Sequence, residues 1–564
     1  MSTFETREHQ AFPVFTATQV EMARRFASGQ ATRFQPGEQV QSIGARHAPS
    51  WLVLEGTIEV RRRDGLSQDA PITTHRTGQF TGEVSQITGH PAIVSSRAGP
   101  EGCVAVPFDS SHLRALMIGS AEIGEILMRA LILRRVGLIE NAGAGTILIG
   151  IPDSQDMVRL QGFLTRNGSP NLVLDGRVDQ EGRALVEQIG VLPHEFPLVI
   201  CPNGSFLKCP TNEEVAAYLG ITPFIDPEVV FDVAVVGAGP AGLAAAVYAA
   251  SEGLSVIVLD SNAVGGQAGA SARIENYLGF PTGISGQALA ARAFNQALKF
   301  GAEIAIPVEV NGIELSYDHL VLTLSGHRTL QARSVVIATG ARYRKPNVAD
   351  LATLEGAGIS YWASPIEARL CMDEEVALVG GGNSAGQAIA FLAPQIRKLH
   401  VFARRELSQT MSRYLVERIA VLPNVEIHVG AELDSLEGSC ATGLRSATFR
   451  HVGDGSFSRL ELRHLFLFIG ADPHTKWLKG SGVALDPKGF VLTGADAGEN
   501  RHTLETSRYG IYAIGDIRAG STKRVAAAVG EGAQVVAAPH AYLAAQTQAA
   551  AAHAGGPTTQ QPQS

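Results

Sequence analysis

One pattern occurs twice in this chain: a run of strand-forming residues, a glycine-rich turn, and a small-residue helix start, beginning at Val233 and again at Val376. The first copy reads Val233-Ala234-Val235-Val236-Gly237-Ala238-Gly239-Pro240-Ala241-Gly242, a strand running into G-x-G-x-x-G. Gly237 permits the tight turn, and Gly239 lets a pyrophosphate approach the backbone at the positive helix N-terminus. Gly242 lets helix and strand pack closely. The next strand, Ser255–Leu259, ends in Asp260, 23 residues after Gly237, where a carboxylate can accept from ribose hydroxyls.

The second copy is Gly380-Gly381-Gly382-Asn383-Ser384-Ala385, with Ala385 as the third small residue. Counting 23 residues from Gly380 reaches Ala403, so the ribose-binding acid is missing, and Arg404-Arg405 follow at once. Guanidiniums at that point suit a 2′-phosphate, so NADPH is expected over NADH. One site with the acid and one with arginines predict a flavin and a nicotinamide, with hydride transfer between them.

The rest of the chain is read around these two copies. Its 564 residues predict three to five domains. Residues 1–142 carry short β-branched runs with turn signals, predicting an all-β barrel or jelly roll, and then a helical period from Ser111 to Glu140. Residues 143–225 read as a small α/β unit with a hairpin turn at Pro202-Asn203-Gly204. Residues 546–564, rich in Ala, Gln, Pro and Thr, are expected to be a disordered tail. The net charge of −8 offers no basic excess for nucleic acid or an anionic membrane. Neither a signal core nor a spanning stretch is apparent, so a cytoplasmic location is expected. The five cysteines (Cys103, Cys201, Cys209, Cys371, Cys440) are too scattered for a disulfide scaffold. No metal site is expected, because Cys201 and Cys209 have no histidine neighbours. Cys371 reads as a small buried residue.

Residues 229–545 closely resemble the low-molecular-weight thioredoxin reductases. Beside the two fingerprints, the matching pieces are Gly265-Gly266-Gln267, Ile274-Glu275-Asn276-Tyr277, Ala338-Thr339-Gly340, Phe468-Ile469-Gly470 and Gly515-Asp516. The resemblance implies two Rossmann-like domains, with FAD bound by residues 229–343 and 465–545 and NADPH by residues 344–464. It carries Gly266, Gln267, Asn276 and Val310 to the FAD site, Asp516 to the ribityl chain, and Lys523-Arg524-Val525 to the flavin pyrimidine edge. A homodimer and a swing of the NADPH domain are also implied.

The departure lies where the family keeps its redox-active C-x-x-C. Here the stretch is Gly358-Ile359-Ser360-Tyr361-Trp362-Ala363-Ser364-Pro365, with Trp362 and Pro365 in place of the thiols and Ser364 between them. Neither can form a disulfide. In the arginine motif a third basic position is Gln409, with Arg413 nearby to compensate.

The N-terminal parts carry two further resemblances. Gly78–Glu83 is similar to the phosphate cassette of cyclic-nucleotide-binding domains, but Ala92 stands at the expected arginine and Arg97 lies five residues beyond. Residues 143–225 resemble a thioredoxin or glutaredoxin fold, with Phe196-Pro197 similar to its cis-proline loop and no thiol in Ile151–Gln155. The order of modules looks like a bacterial family of fused thioredoxin-reductase-like flavoproteins. The reading is therefore an NADPH-oxidising FAD enzyme without the proximal dithiol. Its acceptor would be a quinone, oxygen, ferredoxin or flavodoxin, or a thiol protein. Two alternatives stand beside it: a redox or ligand sensor whose N-terminal modules bind a nucleotide or a protein, and a thioredoxin-disulfide reductase using a non-standard disulfide such as Cys201–Cys209.

Overall fold

The computed structural model describes residues 8–64, 68–82, 85–88, 91–140, 145–316, 319–439 and 442–554. The chain forms two compact units, one of Phe224–Ser261, Phe300–Arg342 and Asp472–Ser564, the other of Met1–Pro223, Asn262–Lys299 and Tyr343–Ala471.

In the first unit the fingerprint strand Val230–Val236 is central. It pairs in parallel with Val256–Leu259 on one side and Thr329–Ile337 on the other. Glu303–Ala305 extends the sheet in parallel, while His319–Leu324 and Val310–Ser316 add an antiparallel edge, and Ile511–Ala513 joins Thr329–Ile337. The central strand is apolar in a near-continuous run because both of its faces are covered, as parallel sheets require. Helix Pro240–Ser251 is buried almost all round, with alanines meeting helix Val525–Val535 closely: a Cβ at Gly532 would lie 2.5 Å from the Ala241 carbonyl oxygen.

The second unit holds a five-stranded parallel sheet in the order Ile359–Ser360, His464–Leu467, Glu375–Val379, Lys398–Ala403, Val425–Val429. Strand His464–Leu467 lies inside this sheet, which corrects the expected return to the FAD domain at residue 465. The chain crosses back only at Asp472. Residues 262–299, expected with the FAD half, group with this unit. Polar ties join them to the rest of this unit: Gln287 Nε2 donates to Thr165 O at 2.8 Å, and Arg418 makes a two-pronged pair with Glu275 at 2.8 and 3.1 Å.

The N-terminal strands form a five-stranded antiparallel sheet and, among the described residues, no closed barrel, where a barrel or jelly roll was expected. Its long strand Ser50–Asp64 shifts register twice near Gly56, whose φ of +72° brings its backbone against Gly102. The expected single helix is two, Ser110–Gly119 and Ala121–Glu140, parted at Ser120. A separate four-stranded sheet follows in the order Asn171–Asp175, Thr146–Gly150, Leu198–Ile200, Phe206–Lys208, with its first pair parallel and the others antiparallel. Helices Gln155–Arg166 and Gln180–Ile189 connect its strands, and Phe196-Pro197 is cis. Helix Ala537–Ala554 runs past residue 546, correcting the start expected for a disordered tail. No helix among the described residues is long and apolar enough to cross a membrane.

Candidate functional site: two dinucleotide turns and a strand end without thiols

The first turn behaves as its three glycines predict. Gly237 has φ +115°, and a Cβ there would lie 2.3 Å from the Ala338 carbonyl oxygen. At Gly242 a Cβ would lie 1.9 Å from the Gly237 carbonyl oxygen, so helix and turn touch through that hydrogen. Gly239 is different: a Cβ would meet no atom of the chain within 4 Å. The open side of the turn therefore lies at the glycine whose bare backbone a pyrophosphate approaches. Pro240 opens the helix at N1, where its missing N–H costs nothing. Asp260 sits directly after Leu259, and its Oδ2 accepts from the Ala238 N–H at 2.8 Å. The carboxylate thus faces the turn it was expected to serve.

The second turn repeats this arrangement. Gly380 has φ +148° and would clash with the Phe468 carbonyl oxygen at 2.5 Å, while Gly382 faces no chain atom within 4 Å. Ala385 is buried at the third position. Asn383 Oδ1 accepts from the Ser412 N–H at 2.7 Å and Thr410 Oγ1 donates to the Gly381 carbonyl at 2.6 Å, bracing the turn from the following loop. Ser384 is exposed in the first turn of helix Asn383–Leu392. Strand register verifies the residue count. Val236 pairs with Leu259 before Asp260, and Val379 pairs with Phe402 before Ala403. Ala403 thus takes the acid's place, and Arg404 and Arg405 are exposed immediately beyond the strand end. Arg413 is exposed, and its Nε donates to Glu417 at 2.7 Å along the same helix.

Val310, Asp516, Lys523, Arg524 and Val525 lie in the first unit, and Gly266, Gln267 and Asn276 in the second. In the first, Val310 begins its strand with the side chain in the core. Asp516 lies in a short turn anchored by Glu531, which accepts from the Gly515 N–H at 2.6 Å and pairs with Arg518 at 2.5 Å. Burial pushes the Asp516 carboxyl up, with Lys523 opposing that shift. Lys523 Nζ donates to the Asp516 carbonyl and lies 4.6 Å from the Phe490 ring. Arg524 is the N-cap and Val525 the first residue of helix Val525–Val535, whose positive end favours an anion or an electron-rich ring edge. In the second unit, Gly266 and Gln267 begin a single helical turn, with Arg166 Nη2 donating to the Gly266 carbonyl at 3.2 Å, and Asn276 is exposed.

At the expected dithiol position the side chains are tied down. Trp362 Nε1 donates to Glu367 Oε1 at 2.9 Å, and the Arg166 guanidinium lies 6.0 Å from its ring. Pro365 is the first residue of helix Pro365–Leu370, and Ser364 is its N-cap, bonded to the other Glu367 oxygen. Glu367 was missed, although Ser364-x-x-Glu367 spells a capping box that the sequence displays.

Among the described residues, the cysteines are unlinked. Ile200 pairs with Phe206 and Leu198 with Lys208, so Cys201 faces Ser205 and Cys209 faces Pro197. At about 3.3 Å per residue the two cysteines are separated by roughly 13 Å along the hairpin, and both are unlinked. This rules against the Cys201–Cys209 disulfide. Cys371 is buried, its Sγ donates to the Glu367 carbonyl at 3.0 Å, and burial pushes its thiol up to about 12. Cys440 and the cassette residue Glu83 lie outside the described residues. Iodoacetamide at pH 8 is expected to alkylate exposed Cys209 and to spare Cys371 until the protein is denatured, read by peptide mass mapping. Rapid native labelling of Cys371 would contradict its burial.

Residues 231–532 match the pattern of the family described as pyridine nucleotide-disulphide oxidoreductase. The thioredoxin reductase of Mycoplasma genitalium is 32% identical over 313 residues, covering 55% of this chain and 94% of that protein. The thioredoxin reductase of Streptomyces coelicolor is 30% identical over 315 residues, covering 56% and 94%. Among solved structures, that of T. acidophilum thioredoxin reductase superposes with a TM-score of 0.51 at 29% identity, covering 56% of this chain and 99% of that one.

Proposed function

Because the chain belongs to the pyridine nucleotide-disulphide oxidoreductase family and is a thioredoxin-reductase-like, NADPH-dependent flavoprotein, we propose that its reduced flavin serves an acceptor without any neighbouring dithiol. The observation that carries this reading is the stretch Gly358–Pro365, which contains no cysteine and whose tryptophan and serine are both bound to Glu367. When bound, FAD takes hydride from NADPH and releases electrons onward. The chain's own residues do the positioning. Gly239 and Gly382 admit the pyrophosphates, Asp260 takes the flavin-side ribose, and Arg404 and Arg405 take the 2′-phosphate. Lys523, Arg524 and the start of helix Val525–Val535 face the flavin's electron-rich edge, with Asp516 on the ribityl chain. The acceptor is then a quinone, oxygen, or a one-electron carrier such as ferredoxin or flavodoxin. A thiol protein would have to meet the flavin itself. A homodimer is proposed with this reading.

The test is an anaerobic dithionite titration of the oxidised protein. About two electrons per FAD is expected, because the flavin stands alone, and about four would reveal a redox-active disulfide and overturn the reading.

A second reading, a redox or ligand sensor, is favoured by the contacts of helix Gln155–Arg166. Arg166 Nη2 donates to the Gly266 carbonyl at 3.2 Å, beside Gln267, and Gln155 Nε2 donates to the Glu355 carbonyl at 2.9 Å. The strand order and the cis Phe196-Pro197 bond support a thioredoxin-like docking module over residues 143–225. Residues 1–142 are proposed as a cyclic-nucleotide-binding-like module adapted to another ligand or a protein, since Ala92 is buried where a phosphate-binding arginine would stand. In the sensor reading Arg166→Ala changes NADPH turnover, measured with an artificial acceptor, or the flavin spectrum. No change in either would detach the module from the flavin chemistry.

A further inference from the structure

Away from both dinucleotide turns, the parallel sheet of the second fingerprint brings together three side chains with metal-binding chemistry. His400 lies on strand Lys398–Ala403, directly across from Glu426 on the edge strand Val425–Val429. His428 follows Glu426 by two residues, so the alternation of a strand puts both on the face that His400 shares. His400 Nδ1 is 3.3 Å from His428 Nε2 and 3.7 Å from Glu426 Oε2, and His428 Nε2 is 3.6 Å from Glu426 Oε1. All three donor atoms lie within 4.8 Å of one another.

These separations decide between two arrangements. The carboxylate is too far from either imidazole for a hydrogen bond, which for N–H···O is about 2.7–3.2 Å. A four-coordinate cation with bonds of about 2.0–2.2 Å holds its donor atoms roughly 3.3–3.6 Å apart. The His400–His428 separation of 3.3 Å fits that spacing, and Glu426 brings one oxygen to 3.7 Å from His400 and the other to 3.6 Å from His428, so a small rotation of its carboxylate would complete the set. On the far side of the His400 ring, Glu375 Oε2 lies 3.7 Å from Nε2, too long for a hydrogen bond but close enough to add negative charge beside the cluster. His400 is buried while Glu426 is half-exposed, so the cluster has an inner anchor and a solvent side. One group opposes a cation: Lys398 Nζ sits 2.7 Å from Glu426 Oε2, on an exposed side chain able to swing away.

We propose that His400, Glu426 and His428 form a binding site for a borderline divalent ion of the zinc class, with a fourth position left for water. Two imidazoles and one carboxylate are an N/O donor set that suits zinc, whereas magnesium and calcium prefer all-oxygen shells. Bound there, the ion joins the edge strand Val425–Val429 to its neighbour. The site is independent of which acceptor the flavin serves.

The test uses the full-length flavoprotein, stripped with EDTA, dialysed, and titrated with zinc chloride by calorimetry. Wild type is expected to take up one zinc equivalent that His428→Gln and Glu426→Gln each bind at least tenfold more weakly. Zinc should raise the Tm of wild type and leave that of both variants nearly unchanged, because only a ligand of the folded state shifts the transition. Cobalt should give the visible absorption of a four-coordinate site in wild type alone. Glu426 is on the surface, so Glu426→Gln keeps the test valid if His428→Gln fails to fold. Equal zinc uptake by wild type and Glu426→Gln, or no zinc uptake by wild type, overturns the proposal.

Discussion

Gly242→Ala is expected to abolish flavin retention and to destabilise the protein with or without FAD, whereas Gly239→Ala should lose flavin while the empty fold stays intact. The added Cβ at Gly242 would sit 1.9 Å from the Gly237 carbonyl oxygen and 3.2 Å from Val235 Cγ1. That carbonyl cannot retreat freely, because the Gly237 N–H is bonded to the Leu259 carbonyl at 2.7 Å and the turn is already at φ +115°. Overpacking of this kind costs about 1–3 kcal/mol or more, and here it falls on the joint between the central strand and its helix. At Gly239 the backbone has φ −73°, which alanine adopts without strain, and the methyl meets no chain atom. Alanine is a poorer N-cap than glycine by roughly 1 kcal/mol, too little to unfold the domain. The methyl instead takes the space a pyrophosphate needs. The ratio of flavin to protein absorbance, with thermal unfolding of the apoprotein, separates the two. Flavin retained at wild-type level in Gly239→Ala would remove the pyrophosphate from that turn.

The double variant Arg404→Ala/Arg405→Ala should cost NADPH at least a hundredfold in kcat/KM and leave NADH within about threefold. A hydrogen bond to a charged group contributes about 1.5–3 kcal/mol, and 1.4 kcal/mol is a factor of ten, so each guanidinium accounts for roughly 10- to 100-fold. Ala403 offers NADH no carboxylate for its ribose, so the variant loses one preference without gaining the other. Steady-state rates with both nucleotides decide the matter. A parallel loss with NADH would mean that the arginines support the loop and do not read the phosphate.

The features behind both predictions are legible in the sequence because each fingerprint is local. The three roles of Gly237, Gly239 and Gly242 follow from spacing along one strand–turn–helix passage, and the missing acid follows from a count that strand register reproduces at Ala403. The absence of cysteine from Gly358–Pro365, with Trp362 and Pro365 where the resemblance expects thiols, was equally plain. What escaped were partners brought from elsewhere: Glu531 anchoring the Asp516 turn, or Thr410 bracing Gly381. A barrel or jelly roll was expected from short strands and turn residues, but such signals define strands without fixing which edges meet, and the described strands form no closed barrel.

The sequence by itself determined the local patterns of the C-terminal half: two glycine-rich turns, an acid after the first, two arginines after the second, and no cysteine in Gly358–Pro365. Those properties depend on residues a few positions apart, whose geometry short-range sterics dictate. Only the tertiary structure decided that His400 meets Glu426 and His428, that residues 262–299 group with the second fingerprint, and that Cys201 and Cys209 face different partners. Each of these depends on pairing register or packing between separate segments, and a slip of one residue turns every side chain to the opposite face.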